Sequence, residues 1–401
     1  MSLSIGLIKE GKIPSDSRVA LTPNQCRYLI DQMGFEVVVQ RSDNRCYTDQ
    51  EYLKAGIPLV DNIDNAHILV GIKEVPFDQL IENKTYFFFS HTIKKQPYNR
   101  KLLQAILQKN IKMIDYEVIT DDRGERLIAF GYFAGLVGAH NGIYAFTKRY
   151  KLNFRRMYEF LHYEDAVLYY KTIHLPPIKI VVTGTGRVAS GAVQVLKDLG
   201  VQQVNPDEYL KNKYQYPVFT QLSGSDYVVK KDGGSYNKSE FYAHPENYES
   251  SFLPFTKVTD LMINGIFWDD RSPAFFTLEQ MKSKDFKIKT IADVTCDIAP
   301  LSSIPSTLFA TKIDNPVFGY NPISEKAESP YSEEVIDVMS IDNLPNELPR
   351  DASDFFGKRF IDTIIPELLK EKSEILDRAT IAEGGSLTNN FKYLTDYINE
   401  K

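Results

Sequence analysis

Short apolar runs alternate with amphipathic stretches through the first 130 residues of the chain. Runs rich in β-branched and aromatic residues predict strands, and apolar residues spaced three and four apart predict helices. The predicted strands are Ser4–Ile8, Phe35–Val39, His67–Ile72, Tyr86–Ser90 and Ile111–Tyr116, and the predicted helices include Asn24–Met33 and Tyr98–Lys109. Strand–helix alternation of this kind predicts a parallel sheet with right-handed crossovers.

A second alternating region begins at the β-branched run Ile178–Val182, after a long helix, Phe133–Tyr150, that is predicted to carry the chain between domains. Further predicted elements are the strands Val201–Val204, Asp260–Ile266 and Lys289–Val294 and the helices Phe355–Leu369 and Phe391–Asn399. The polar segment Asn212–Ser251 is interpreted as an insertion. A chain of 401 residues exceeds one ordinary core. We therefore expect an α/β protein with two Rossmann-like, doubly wound parallel-sheet domains and a cleft between them.

The clearest motif follows the strand Ile178–Val182 and reads Gly184-Thr-Gly186-Arg187-Val188-Ala189. In a pyrophosphate-binding turn the first glycine allows the tight bend, the second lets the backbone approach the phosphates, and the alanine permits close packing of helix on strand. Val188, Ala192, Val195 and Leu196 then continue at helical spacing. A helix N-terminus offers free N–H groups to an anion. This order of strand, glycine turn and helix predicts a dinucleotide site.

The choice of dinucleotide depends on the residue that ends the second strand. In this chain the predicted strand Val201–Val204 ends at Asn205, where an NAD-binding unit usually carries an acid for the ribose 2′-hydroxyl. Lys211 and Lys213 follow. We expect NADP or NAD as cofactor, with the uncharged strand end favouring NADP.

Composition limits the remaining classes. The chain has 47 Lys and Arg against 53 Asp and Glu, a formal net charge of −6, which argues against a nucleic-acid binder. Cys26, Cys46 and Cys296 are too far apart for a disulfide framework or a metal site, and no metal is expected. No apolar run reaches the roughly 18 residues of a membrane span, and Lys9 and Glu10 come too early for a signal peptide. We expect a cytoplasmic protein with small-molecule substrates.

Candidate chemistry lies at the ends of two predicted strands in the first region. Lys73 and Glu74 follow His67–Ile72, and His91 follows Tyr86–Ser90. Because ligands of open α/β sheets bind at the carboxyl ends of strands, these side chains are predicted to share one crevice. Desolvation lowers the pKa of a lysine, and histidine titrates near neutrality, so the pair suits proton transfer in amine or imine chemistry. The cations that suit substrate carboxylates are Arg18, Lys94 and Arg126.

Several stretches resemble the lysine-ketoglutarate reductase and saccharopine dehydrogenase (L-lysine-forming) family, within the alanine dehydrogenase-like superfamily. The opening Lys9-Glu10 with Arg18-Val-Ala-Leu-Thr-Pro23 resembles alanine dehydrogenase as well. The more specific stretches are Lys84-Thr-Tyr-Phe-Phe-Phe-Ser-His91-Thr-Ile-Lys94, Ile114-Asp-Tyr-Glu117, Ala129-Phe-Gly131, Ile263-Asn-Gly-Ile-Phe-Trp268 and Ser340-Ile-Asp342-Asn-Leu-Pro345. The resemblance extends to about residue 369 and implies a substrate domain of residues 1–132 plus about 345–401, with a dinucleotide-binding domain of residues 133–344. It implies a free-standing enzyme, since no second domain follows residue 401.

The resemblance also implies NAD(P)H-dependent reductive condensation of L-lysine with 2-oxoglutarate to saccharopine, or the reverse. It makes Lys73 and His91 the acid–base residues, tuned by Glu74 and Glu117. The implied substrate-binding residues are Arg18, Lys94, Gln96, Arg126, Thr295, Cys296 and Asp297. The implied cofactor-binding residues, beyond the glycine turn, are Phe130, Arg187, Val188, Phe267, Val294, Ile341, Asp342, Asn343 and Leu344.

Two alternatives stay open at this point. An amino-acid dehydrogenase of the alanine dehydrogenase type shares the opening motif, although alanine has one carboxylate and saccharopine has three. A non-catalytic NAD(P)-binding regulator would share the glycine turn but has no use for the pair Lys73 and His91. Neither the direction of flux nor the oligomeric state follows from the sequence.

Overall fold

The computed structural model describes residues 3–399, and these form two compact units. The first unit contains the chain up to Phe130 and again from Pro349, and the second contains Gly131–Leu348. Each unit is built on an eight-stranded, mostly parallel sheet. The predicted α/β class with two mostly parallel sheets is therefore confirmed.

The sheet of the first unit takes six strands from the N-terminal part of the chain and two from its C-terminal part. These strands are β1 (Ser4–Leu7), β2 (Glu36–Gln40), β3 (Leu59–Val60), β4 (Ile68–Val70), β5 (Thr85–Phe88), β6 (Lys112–Asp115), β17 (Thr380–Glu383) and β18 (Ser386–Leu387). Their order is β18-β17-β6-β5-β4-β1-β2-β3. The helices are α1 (Pro23–Met33), α2 (Asp49–Lys54), α3 (Arg100–Gln108), α12 (Pro349–Arg359), α13 (Ile365–Leu368), α14 (Glu374–Ala379) and α15 (Thr395–Asn399).

Both faces of this sheet are covered by helices, and successive residues of a strand contribute to opposite faces. In β4, Ile68 and Val70 join one core with α1, whereas Leu69 joins a second core with α3. The C-terminal segment contributes to both cores through Phe356 and Phe391. A π-helical turn, Phe360–Ile364, joins α12 to α13, so the predicted helix Phe355–Leu369 is interrupted.

The second unit contains ten strands, eight of them in its main sheet. They are β7 (Lys179–Thr183), β8 (Gln202–Gln203), β9 (Val218–Leu222), β10 (Val228–Lys230), β11 (Tyr248–Ser250), β12 (Leu261–Asn264), β13 (Thr290–Asp293), β14 (Val317–Asn321), β15 (Lys326–Glu328) and β16 (Ile336–Met339). The main sheet has the order β15-β14-β16-β13-β12-β7-β9-β8. Its helices are α4 (Gly131–Arg149), α5 (Tyr163–Tyr170), α6 (Arg187–Asp198), α7 (Pro206–Lys211), α8 (Gly224–Tyr227), α9 (Lys238–Ala243), α10 (Leu253–Thr256) and α11 (Leu278–Met281).

Small residues set the packing of α4 on α6. A Cβ added to Gly135 would lie 1.7 Å from the carbonyl oxygen of Val188, and one added to Gly191 would lie 2.0 Å from that of Tyr132. The backbones of the two helices therefore meet directly. This close approach explains why the predicted helix between domains is rich in small residues.

Of the predictions about the second unit, one is wrong and one strand is shorter than predicted. Asn212–Ser251 is not simply an insertion, because it contains β9, a strand of the main sheet that pairs with β7. The strand predicted at Val201–Val204 shrinks to β8, which lies at the sheet edge and pairs with β9. The pattern failed because Val218–Leu222 is enclosed by polar, tyrosine-rich sequence, while its burial comes from strands distant along the chain. No helix among residues 3–399 is long and apolar enough to cross a membrane.

Candidate active site

The predicted acid–base residues lie where neighbouring parallel strands end. Lys73 and Glu74 follow β4, His91 follows β5, and Glu117 follows β6, and these three strands are adjacent in the sheet. His91 has a left-handed backbone with φ 52°, which is uncommon for a residue other than glycine. The sheet thus brings together four residues from three separate parts of the chain.

Glu74 is the centre of this cluster. Its Oε1 lies 2.6 Å from His91 Nδ1, and Lys12 Nζ lies 3.1 Å from Oε1 and 2.9 Å from Oε2. Burial alone would raise the pKa of Glu74, but the hydrogen bond and charge of His91 and the charge of Lys12 lower it to about 2. An ionised carboxylate only accepts hydrogen bonds, so His91 carries a proton on Nδ1 and turns Nε2 away from Glu74.

Lys73 has the environment of a lysine that can lose its proton near neutral pH. Burial, followed by the positive charges of Arg18 and Lys12, lowers its pKa from 10.5 to about 8. Within residues 3–399 no carboxylate lies at ion-pair distance from its Nζ. The ammonium form is therefore not stabilised by a direct ion pair, and both protonation states are accessible.

The cations proposed for substrate carboxylates differ in exposure. Lys94 Nζ and Arg126 Nη2 lie 3.4 and 2.9 Å from Glu117 Oε1, and their side chains are 53% and 45% exposed. Burial would raise the pKa of Glu117, but these two charges lower it. Arg18 is only 3% exposed and forms a bidentate ion pair with Asp16, at 3.0 Å from Nε and 2.6 Å from Nη2. The side chains of Lys94 and Arg126 are thus accessible to a ligand, whereas that of Arg18 is buried and paired with Asp16.

Two further predicted residues of the first unit, Phe130 and Gln96, contact other side chains of the fold. The guanidinium carbon of Arg18 lies 4.2 Å from the ring centroid of Phe130, and that ring stacks on Phe356 at 4.7 Å. The carbonyl oxygen of Gln96 accepts a hydrogen bond of 2.5 Å from Tyr397, and its side-chain oxygen accepts one from Tyr98. Phe130 therefore belongs to the aromatic support of Arg18, and Gln96 is held by the C-terminal helix α15.

The glycine turn of the second unit is shaped to receive an anion. Gly184 has φ 97°, its N–H donates to the carbonyl of Leu222, and an added Cβ would lie 2.8 Å from the carbonyl oxygen of Gly265. By contrast, a Cβ added to Gly186 meets no atom within 4 Å. Gly186 precedes α6, and no side chain within residues 3–399 caps the helix there. Open space beside uncapped N–H groups fits a dinucleotide pyrophosphate.

The other residues predicted to bind the cofactor have contrasting environments. Arg187 is exposed at the start of α6, Ala189 is buried, and Val188 packs against α4. Phe267 is 77% exposed, whereas Ile341 and Leu344 are each 1% exposed. Val294 lies against Gly138, Asn343 is half-buried, and Asp342 is exposed. The side chains of Ile341 and Leu344 are thus buried inside the fold, whereas those of Phe267 and Asp342 are exposed to solvent.

A polar network supports the loop Thr295–Asp297. Asp293, fully buried at the end of β13, accepts hydrogen bonds of 2.6 Å from Thr295 and Thr307 and one of 3.0 Å from Asn264. The Cys296 thiol donates to the carbonyl of Ser340 at 2.9 Å, and burial raises its pKa. Cys296 is therefore a poor nucleophile, and Asp297 is half-buried. Sequence patterns alone did not identify Asp293.

Asn205 follows β8, an edge strand that does not lie beside β7. In a Rossmann unit the ribose contact comes from the strand beside the first one. In this sheet β7 lies between β12 and β9; β9, on the side that ends in β8, takes the place of the second Rossmann strand and is followed by Ser223, Gly224, Ser225 and Asp226. Asn205 instead caps α7, because its side chain accepts from the N–H of Glu208 at 2.8 Å. The absence of an acid at Asn205 therefore gives no support for NADP.

Residues 6–137 match the N-terminal domain of the alanine dehydrogenase/PNT family. The chain is 30% identical to mouse mitochondrial alpha-aminoadipic semialdehyde synthase over 94% of its own length and 46% of that protein. The Emericella nidulans saccharopine dehydrogenase (NAD(+), L-lysine-forming) is 28% identical, with 90% of each chain covered. The chain spans about half the length of the semialdehyde synthases that it matches.

A solved L-alanine dehydrogenase superposes with a TM-score of 0.65 over 99% of this chain and all of the other, at 16% identity. At that identity the likeness concerns the fold. Homologues at 26–30% identity are thus saccharopine dehydrogenases and alpha-aminoadipic semialdehyde synthases, and the resemblance stated from the sequence is confirmed.

Proposed function

Because the chain is a homologue of L-lysine-forming saccharopine dehydrogenases, we propose that it is an NAD(P)-dependent oxidoreductase acting on the CH–NH bond of saccharopine. In the forward direction the ε-amine of L-lysine condenses with the keto group of 2-oxoglutarate, releases water, and the resulting C=N bond is reduced. The observation that carries the proposal is the cluster of Lys73, Glu74 and His91, whose geometry suits repeated proton transfer.

Lys73 is proposed to exchange protons with the condensing amine and the departing water. A substrate ammonium must lose a proton before its nitrogen attacks a carbonyl, and the carbinolamine oxygen must gain one before it leaves. A lysine with a pKa of about 8 performs both transfers near neutral pH. Its half-buried position keeps the group close to bound substrate and away from bulk water.

His91 is proposed as the second acid–base residue. Glu74 holds its Nδ1 at 2.6 Å, so Nε2 exchanges the proton with the substrate nitrogen. Lys12 on the other side of Glu74 keeps that carboxylate ionised. The arrangement fixes both the tautomer and the direction of the imidazole.

Lys94 and Arg126 are proposed to bind substrate carboxylates, since both combine charge with exposure. Arg18 is proposed to contribute its charge mainly through the lowered pKa of Lys73. Gln96 and the loop Thr295–Asp297 remain proposals for polar substrate contacts. Glu117 holds Lys94 and Arg126 together at one oxygen.

A nicotinamide dinucleotide is proposed as cofactor, with Gly184, Gly186, Arg187 and the N-terminus of α6 holding its pyrophosphate. When bound and reduced, it would supply the hydride that reduces the C=N carbon. Phe267, Val294 and the segment Ile341–Leu344 are proposed to bind its remaining parts. Both NADH and NADPH are candidates, and the turn Ser223–Asp226 is the proposed determinant of the choice.

The deciding experiment measures NAD(P)H oxidation with a panel of amino acids, each with and without 2-oxoglutarate, and identifies the product by mass. We expect turnover that requires L-lysine and 2-oxoglutarate together and yields saccharopine. The fold and the N-terminal match also suit an alanine dehydrogenase-type enzyme, so pyruvate with ammonia is included. Turnover with pyruvate and ammonia alone would refute the proposal, as would dinucleotide binding without turnover on any pair.

A further inference from the structure

Glu10 binds the backbone that carries Lys73. It lies beyond the end of β1, the strand beside β4, and its Oε1 and Oε2 accept hydrogen bonds from the peptide N–H groups of Ile72 and Lys73 at 2.6 and 2.9 Å. The two carboxylate oxygens therefore bind two consecutive residues of the turn that carries Lys73. No cation among residues 3–399 forms an ion pair with Glu10.

Asp115 binds the backbone that carries His91 in a similar way. Its Oδ2 accepts hydrogen bonds from the N–H group of Ser90, at 3.0 Å, and from the Ser90 hydroxyl. That hydroxyl lies 2.7 Å from Thr92 Oγ1 and accepts from the N–H of Thr92 at 3.2 Å. The residues on both sides of His91 are thus tied to one carboxylate, which also accepts from the N–H of Glu117 at 2.7 Å.

Both carboxylates are placed at an energetic cost. Asp115 is fully buried and, like Glu10, has no ion-pair partner among residues 3–399. Burial raises the pKa of Glu10 to about 8 and that of Asp115 to about 6. Whether such a group stays ionised or takes up a proton below its raised pKa, the shift lowers the free energy of unfolding, and apolar residues would fill the same space without that penalty. Their hydrogen bonds to the backbone beside Lys73 and His91 therefore indicate a role in placing these two side chains.

From these contacts we infer that Glu10 is the positioning residue of Lys73 and that Asp115 is the positioning residue of His91. The inference rests on the proposed function, because it assigns the acid–base roles to Lys73 and His91. Neither carboxylate is required to touch substrate. Each fixes a strand end, and through it the direction in which one side chain leaves the backbone.

The test uses Glu10→Gln and Asp115→Asn in the full chain. Each amide keeps the size of the acid but directs an NH2 group at a peptide N–H, so one hydrogen bond is lost. A displacement of about 1 Å can cost about 100-fold in rate, and we expect kcat to fall about 10- to 100-fold for each variant. The dissociation constant of the dinucleotide, measured by fluorescence, should stay within twofold.

Double mutants separate positioning from general damage. Glu10→Gln should lower kcat no further in a Lys73→Met protein but should still lower it beside His91→Gln. Asp115→Asn should show the reverse pattern, with no further loss beside His91→Gln. Labelling of Lys73 by a small acylating reagent should slow in Glu10→Gln only, because an amine released to water regains a higher pKa.

Asp337→Asn is the matched control. Asp337 is a fully buried carboxylate of β16 that accepts from the N–H of Tyr331 at 2.7 Å and from Arg149 at 2.7 Å. It undergoes the same chemical change in the second unit, so we expect lower stability with unchanged kcat per folded molecule. If Asp115→Asn does not fold, Ser90→Ala replaces it, since that change removes the hydroxyl but keeps the peptide N–H bond.

Normal kcat in Glu10→Gln and Asp115→Asn (or Ser90→Ala), beside inactive Lys73→Met and His91→Gln, would overturn the inference alone. Equal losses in every background would also overturn it, because they would show general damage. Full activity of Lys73→Met and His91→Gln would instead overturn the proposed acid–base chemistry, and the inference with it.

Discussion

Replacing Lys73 by methionine removes a charge that opposes folding and a group that we propose to transfer protons. The pKa of Lys73 is lowered from 10.5 to about 8, first by burial and then by the charges of Arg18 and Lys12. At pH 7.5 about a quarter of the Lys73 side chains are then neutral, against about 0.1% for a lysine in water. The environment of Lys73 thus increases the neutral, reactive fraction of its side chain more than about 100-fold.

The same shift predicts a change in stability. Below pH 8 the unfolded chain binds a proton at Lys73 more tightly than the folded chain does, at about 1.36 kcal/mol per pKa unit. Lys73→Met should therefore raise the free energy of unfolding by up to about 3 kcal/mol at pH 7. The gain should shrink as the pH rises from about 8 to 10.5, where the unfolded lysine also becomes neutral.

The assay combines urea unfolding with kcat between pH 6 and 10. Lys73→Met should be more stable yet lose about 10²–10⁴ in kcat, and the limb of the wild-type pH profile near 8 should vanish. Lys73→Arg is the control, since it keeps the charge, stays protonated, and should lose kcat without gaining stability. Wild-type kcat in Lys73→Met, or a limb near pH 8 that persists in both variants, would refute the reasoning.

The other predictions concern three parts of the molecule. Glu74→Gln should lower the free energy of unfolding by about 3 kcal/mol at pH 7 and by little at pH 2, because Glu74, with a pKa of about 2, loses its stabilising ionised form as the pH falls. An equal loss at both pH values in urea unfolding would contradict this. Gly186→Val should abolish dinucleotide binding without changing Tm, since a Cβ at Gly186 meets nothing within 4 Å among residues 3–399. Gly184→Val should instead lower Tm, because Gly184 has a φ of 97°. Dinucleotide binding by a folded Gly186→Val protein would exclude the turn from the cofactor site. Ser225→Arg should raise kcat/KM for NADPH relative to NADH, because its guanidinium can bind the 2′-phosphate. Asn205→Ala should weaken only the cap of α7. A change of cofactor preference in Asn205→Ala but not in Ser225→Arg would show that Asn205 determines the preference.

Local patterns predicted the parts of the site that depend on residues close together in the chain. The glycine turn could be recognised because strand, turn and helix follow one another within Lys179–Asp198. Lys73 and His91 could be placed at one edge of the sheet because parallel strands end on the same side. Glu10 and Asp115 carried no such signal, since the N–H groups of Lys73 and Ser90 that they bind follow other strands and lie far away in the sequence.

The α/β class, the glycine turn and the strand ends that carry the proposed acid–base residues could all be predicted from the sequence, because periodicity and turn chemistry are local properties of the chain. The folded structure alone showed that β9 lies beside β7, that Arg18 is paired with Asp16, and that two carboxylates with no ion-pair partner within residues 3–399 hold the turns of Lys73 and His91. Strand order, burial and hydrogen-bond partners depend on residues far apart in sequence, and they exist only once the sheet has formed.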